Sequence, residues 1–111
     1  MQISTSTTEN GVVQLQIRGE LDANTARELD QVLNDLLDLG HSRLVLDASQ
    51  MGYISSAGLR VVLFAHLKAC QLGGEMRVFG LSAQVYRILE IAGFDELFQI
   101  KNTYDEAIKG W

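Results

Sequence analysis

The alternation of strand-like and helix-like segments is the feature that most constrains how this chain folds. Val13, Leu15 and Ile17 alternate with polar residues, which is typical of a half-buried strand. Residues 43–47 form a short apolar run that ends in an aspartate, as in a central strand covered on both faces. Between these strands, residues 23–39 place apolar side chains every three or four positions, which predicts a helix with one buried face.

Continued along the chain, the same pattern predicts the element order ββαβαβαβα. Further predicted elements, in chain order, are a strand at 3–7, a turn at 9–11, a strand break at 19–22, a long loop at 48–55, a helix at 56–71, a strand at 76–79, a helix capped by Ser82, a strand at 97–100 and a short helix after Thr103. We therefore expect an α/β fold with a mixed, mostly parallel five-stranded sheet, an N-terminal edge hairpin and four helices. The predicted buried side of the 56–71 helix comprises Leu59, Val62, Leu63, Leu67 and Cys70.

Length, charge and cysteine content limit the classes of function. The 111 residues predict a single domain over 1–111, and a net charge of −5 argues against nucleic-acid binding. One cysteine and two histidines give neither a disulfide framework nor the spacing of metal ligands. The sequence also lacks a glycine-rich loop that would bind the phosphate of a cofactor, so we expect no metal and no cofactor. No apolar run reaches the length of a spanning helix and the first residues lack a signal peptide pattern, which predicts a cytoplasmic protein without direct membrane insertion.

Two adjacent serines at the predicted start of the second helix are the most informative candidate site. Ser55 and Ser56 are followed by Ala57 and Gly58, and small residues leave the amide groups of a first helical turn open. Serine is a preferred N-cap, so helix capping alone accounts for the pattern. A phosphoserine at the positive end of a helix is the functional alternative, and the residues by themselves leave both interpretations open.

Residues 46–60 resemble the signature of the STAS domain, as found in bacterial anti-sigma factor antagonists. The segments 19–22, 73–75 and 92–94 are similar to other signatures of that family, so the resemblance covers nearly the whole chain. It implies a regulatory binding module and not an enzyme. The unphosphorylated form of such a module binds an anti-sigma factor that is also a serine protein kinase, phosphorylation releases that partner, and a serine phosphatase restores the module.

The family pattern places the phosphate acceptor at Ser56, with Ser55 as the alternative. Ser55 stands where the family usually has aspartate, and Ala57 stands where it usually has serine or threonine. Around the acceptor, the residues expected to contact the partner are Asp22, Asn24, Ser49, Tyr53, Ser55, Ser56, Gly58, Arg60 and Phe64.

Other functions remain as alternatives at this point. The same fold also suits a STAS scaffold subunit that is not phosphorylated, for instance in a lipid-transport machine, or a ligand-sensing subunit of another complex. A serine hydrolase is disfavoured because His41 and His66 are both far from Ser56 along the predicted fold. Asp47 ends a strand as a receiver aspartate does, but the hairpin start breaks the receiver order, and we expect Asp47 to bind nearby amides.

Overall fold

The computed structural model describes residues 1–8 and 10–111, which form one five-stranded sheet and four helices. The elements are β1 (Gln2–Thr7), β2 (Val13–Leu21), α1 (Ala23–Asp38), β3 (Arg43–Ile54), α2 (Ser56–Gln71), β4 (Glu75–Phe79), α3 (Ala83–Ile91), β5 (Gln99–Lys101) and α4 (Tyr104–Ala107). The strands lie in chain order across the sheet; β1 is antiparallel to β2, and all other neighbours are parallel. The predicted fold class is confirmed. In the predicted turn at 9–11, Glu9 lies outside the described residues.

The main core lies between one face of the sheet and the helices α1, α2 and α3. Leu15, Leu44 and Leu46 from the strands are buried there together with Leu29 and Leu33 from α1. Side chains alternate between the two faces of a strand, so Val45, the neighbour of Leu44 and Leu46, points to the other side of the sheet. All three are buried, as the apolar run at 43–47 predicts for a doubly covered strand.

A second, smaller core covers the other face of the sheet. Val45 and Phe79 pack there against Ala107 of α4, and Trp111 is packed against the same cluster. The buried Arg77 of β4 holds this C-terminal segment, because its Nη1 donates to the carbonyls of Ala107 and Lys109 at 3.0 and 2.9 Å. Its guanidinium also lies 3.8 Å from the centre of the Trp111 ring.

Two predicted interruptions are wrong because the strands continue through them. The predicted break at 19–22 and the predicted loop at 48–55 become the ends of β2 and β3, which pair with each other as far as Leu21 and Ile54. Shifts in the β2–β3 register accommodate the irregular sequence. This half of β3 contains exposed polar residues and a glycine, a composition typical of a loop, which explains the wrong prediction. The predicted strand at 97–100 is also displaced, to Gln99–Lys101.

The predicted buried side of α2 is wrong at its C-terminal end. Leu67 is half exposed and Cys70 is exposed, whereas Ala65 and Ala69 are buried. The buried strip of α2 is formed mainly by small residues, which allow this helix to approach its neighbours closely. An apolar pattern that weights large side chains therefore misplaces the strip by part of a turn.

Candidate functional site

The starts of α1 and α2 lie side by side at the carboxyl edge of the sheet. The amide of Ser55 donates to the carbonyl of Leu21 at 2.9 Å, which ties the end of β3 to the end of β2. In open sheets with parallel strands, binding sites form beyond this edge. The structure thus brings together the two segments, 19–22 and 46–60, that the sequence singles out.

Asp22 is the N-cap of α1. Its Oδ1 accepts hydrogen bonds from the amides of Asn24 and Thr25, both at 2.9 Å, and the Thr25 hydroxyl oxygen accepts from the Asp22 amide at 2.8 Å. The amide of Thr25 is the main cause that lowers the pKa of the Asp22 carboxyl below its usual value. Asp22 therefore has a structural task here, whereas the neighbouring Asn24 is exposed. The role of Thr25 in this capping box is not among the sequence predictions.

The two serines at the start of α2 occupy different positions. Ser55 is the N-cap, and its Oγ accepts a hydrogen bond from the amide of Gly58 at 3.1 Å. Ser56 is the first residue of the helix and is exposed. An aspartate, which the family resemblance leads one to expect at position 55, caps a helix in the same way. Ser55 thus preserves the cap, and it leaves Ser56 as the serine that presents its side chain to solvent.

Replacing Ser55 with alanine is expected to destabilise the protein by about 1 kcal/mol, the usual cost of losing an N-cap. Ser55→Asp is expected to retain the stability, because aspartate caps equally well and suits the positive end of the helix. Urea unfolding followed by circular dichroism measures both effects. Ser56→Ala is the matched control, since its hydroxyl caps nothing, and an equal loss in the two alanine variants would contradict this division of roles.

Gly58 is buried and lets the start of α2 rest on the end of β2. A Cβ at position 58 would lie 2.7 Å from Cγ and 3.1 Å from the carbonyl oxygen of Leu21. Contacts this short force a shift of the Leu21 side chain or of the start of α2. Gly58, a predicted partner-binding residue, is therefore not available for contact with a partner. Its lack of a side chain instead lets the start of α2, which carries Ser56, pack closely against Leu21.

Ser49 belongs to a different group of side chains. Its hydroxyl donates to Oδ1 of Asp47 at 2.6 Å, and Gln16 donates to the other oxygen of the same carboxylate at 3.2 Å. Asp47 also accepts from the Ser49 amide at 2.9 Å, which is the role expected for this aspartate. Ser49 lies well before the end of β3 and lines neither of the grooves beside Ser56.

An exposed surface surrounds Ser56, and we call it the serine face. Its members are exposed side chains from the end of β3, from α2 and from α3, namely Tyr53, Ser56, Arg60, Phe64 and Ile91. Phe64 and Ile91 are exposed to 59% and 76%, and each lines a groove that reaches Ser56. Ile91 is not among the sequence predictions, because the end of α3 contacts this region only through the tertiary fold.

Two open grooves run from Ser56 across the serine face. One lies between Tyr53 and Ile91, and the other between Arg60, Phe64 and Phe94. Their linings are mainly apolar side chains, and their volumes are about 340 and 280 Å³. Shallow apolar grooves beside polar groups suit contact with another protein.

Other kinds of site find no support in the described part of the chain. No cluster of three or more histidine, cysteine or acidic side chains among residues 1–8 and 10–111 is arranged to hold a metal ion. In the same ranges, no helix combines the length and the apolar character needed to span a membrane.

Comparison with known proteins identifies the family to which this chain belongs. The STAS domain family matches residues 4–107. The chain is 35% identical to BtrV of Bordetella bronchiseptica, a candidate anti-sigma factor antagonist, over 88% of this chain and 84% of that protein. It is 31% identical to the anti-sigma-B factor antagonist of Listeria monocytogenes, over 85% and 82% of the two chains.

The fold also matches that of SpoIIAA, a Bacillus cell fate determinant whose structure has been solved in its phosphorylated form. The TM-score is 0.76 at 16% identity, with 96% of each chain covered. The protein is thus a member of the STAS domain family, and its place within that family is among the anti-sigma factor antagonists.

Proposed function

We propose that this protein, as a single STAS domain over residues 1–111, antagonises an anti-sigma factor by partner switching. The unphosphorylated serine face binds an anti-sigma factor that is also a serine kinase, which frees the sigma factor. The kinase then transfers the γ-phosphoryl group of ATP to Oγ of Ser56, with release of ADP and of the hydroxyl proton. The phosphorylated protein leaves its partner, and a serine phosphatase hydrolyses the phosphate. In this scheme the protein is a cytoplasmic binding module and a kinase substrate, not an enzyme.

The position of Ser56 is the observation that carries this proposal. Its side chain is exposed at the first position of a helix whose cap is supplied by Ser55, so a phosphate at Ser56 removes no hydrogen bond of the fold. The positive end of the α2 dipole favours the added negative charge. The modification is therefore compatible with an unchanged fold, and its effect falls on the surface.

The apolar character of the serine face explains how one phosphate would end binding. The side chains of Tyr53, Phe64 and Ile91 are exposed, and a partner that covers them stabilises the complex by removing apolar area from water. A phosphoserine brings about −1.5 to −2 charges into the middle of that area. Desolvating this charge against an apolar partner surface costs several kcal/mol, and each 1.4 kcal/mol weakens an affinity about tenfold.

Phosphorylation by the cognate kinase tests the assignment of the acceptor. With ATP, the kinase is expected to add one phosphate to the wild type and to Ser55→Ala, and none to Ser56→Ala; intact-protein mass spectrometry counts the phosphates. A phosphate on Ser55, or continued labelling of Ser56→Ala, would refute the acceptor assignment. Stable co-purification with a membrane ATPase complex and no kinase would instead support the scaffold alternative.

A further inference from the structure

Arg60 lies one turn after Ser56 on the same side of α2. Residues four apart on a helix have neighbouring side chains, with Cβ atoms about 5–6 Å apart. Ser56 and Arg60 also line the same groove, together with Phe64. An acidic group that precedes a basic group by four positions is the favourable order for such a pair. A phosphate on Ser56 would thus stand within reach of the guanidinium.

The guanidinium of Arg60 is not committed to another charge in the described residues. Within residues 1–8 and 10–111, the one ion pair joins Arg77 and Glu75. Arg60 also borders the groove between α1 and α2, where the α1 side carries one acidic and one basic side chain, Asp30 and Arg27. Asp30 forms no ion pair with Arg60, and its Oδ1 accepts a hydrogen bond from Asn34 at 3.1 Å.

We infer that Arg60 is the phosphate-binding residue of the modified protein and pairs with the phosphate that Ser56 carries. This inference rests on the proposed function, because it concerns the phosphorylated state of the same site. Arginine matches phosphate geometry with two parallel hydrogen bonds. A dianionic phosphate at position 56 attracts Arg60 more strongly than the single charge of Asp30 across the groove.

The pairing gives the modification two effects on the serine face. Before phosphorylation, Arg60 presents a free positive charge beside the apolar groove, where an acidic group of the partner can meet it. After phosphorylation, the same guanidinium is turned toward position 56 and its charge is neutralised. The partner then meets an added anion and at the same time loses a cation.

The acidity of the phosphate group reports this contact directly. Phosphoserine is placed at position 56 during translation, so that no kinase is needed, and the second pKa of the phosphate is followed by ³¹P NMR. A cation held close to the phosphate stabilises the dianion and lowers that pKa. We expect Arg60→Gln to raise the pKa of the phosphate by about 0.3–0.6. This is the size of a Coulomb interaction between two charges roughly 5 Å apart in water, partly screened by salt. Arg60→Lys is expected to restore at least half of the difference.

Arg87→Gln is the matched control, since Arg87 is an exposed arginine on α3 that borders a different groove. Its phosphate pKa is expected to equal that of the wild type. Equal pKa values in the wild type and Arg60→Gln, or equal shifts in both glutamine variants, would overturn the assignment of Arg60. Either result is independent of the kinase experiment, in which an unlabelled Ser56 would overturn the proposed function.

Discussion

Ser56→Asp is expected to weaken binding of the anti-sigma factor by at least tenfold, whereas Ser56→Ala is expected to leave the affinity within about twofold of the wild type. Aspartate introduces a full negative charge at the centre of the serine face, where binding has to strip it of water. Alanine removes an exposed hydroxyl that takes no part in capping α2, and it adds no charge. Isothermal titration calorimetry with the purified partner measures both affinities.

Ser6→Asp provides a control of equal charge at the opposite end of the sheet. Ser6 is exposed on β1 and pairs with Gln14 near the start of β2, far from the carboxyl edge. Its affinity for the partner is expected to match that of the wild type. If Ser6→Asp weakened binding as much as Ser56→Asp, net charge and not the position of Ser56 would control the complex. Equal, tight binding by Ser56→Ala and Ser56→Asp would argue against a charge switch altogether.

Arg77→Ala is expected to destabilise the fold by about 3 kcal/mol, the largest effect we expect from a single substitution outside the serine face. Arg77 is buried, and its Nη2 lies 2.8 Å from Oε1 of Glu75. Removal of Arg77 leaves the partly exposed carboxylate of Glu75 without its cation, and the buried position of the guanidinium becomes a cavity. Alanine also leaves the carbonyls of Ala107 and Lys109 without their donor and removes the contact with Trp111.

Urea unfolding of Arg77→Ala tests this expectation. With a slope of roughly 1.5 kcal/mol per molar, the midpoint falls by about 2 M. Arg87→Ala, which removes an exposed arginine, is expected to stay within about 0.5 kcal/mol of the wild type. Trp111→Ala removes only the ring and is expected to show a smaller loss than Arg77→Ala. A midpoint of Arg77→Ala close to that of Arg87→Ala would show that the C-terminal segment is held by other contacts.

The sequence predicts the architecture well where the apolar pattern is regular. The alternation at Val13, Leu15 and Ile17 and the run at 43–47 lead directly to β2 and β3, because burial there follows the periodicity of the backbone. The pattern misses the extension of β3 to Ile54, because pairing with β2 holds that half in place although its side chains are largely polar or exposed. Partner strands supply hydrogen bonds whatever the local composition.

The two serines of the candidate site could be predicted from the sequence, whereas the residues around them could be predicted only in part. Both serines follow from capping preferences and the family resemblance, but only the fold distinguishes the bound hydroxyl of Ser55 from the exposed one of Ser56. Ile91 is distant in sequence, and its place beside Ser56 depends on how α3 packs. The opposite error concerns Cys70, which is predicted to be buried and is exposed. The buried strip of α2 is formed mainly by small residues and does not include Cys70.

The anchoring of α2 to the end of β2 has a consequence for how a signal would be read out. The start of α2 is held against a continuous sheet by two contacts. The Ser55 amide donates a hydrogen bond to the Leu21 carbonyl, and Gly58 packs closely against Leu21. Under partner switching, each molecule is then either available or blocked, with no slow rearrangement between the two. The amount of free partner would follow the ratio of kinase to phosphatase activity in a graded way, so any threshold in the response has to come from the stoichiometry of the competing proteins.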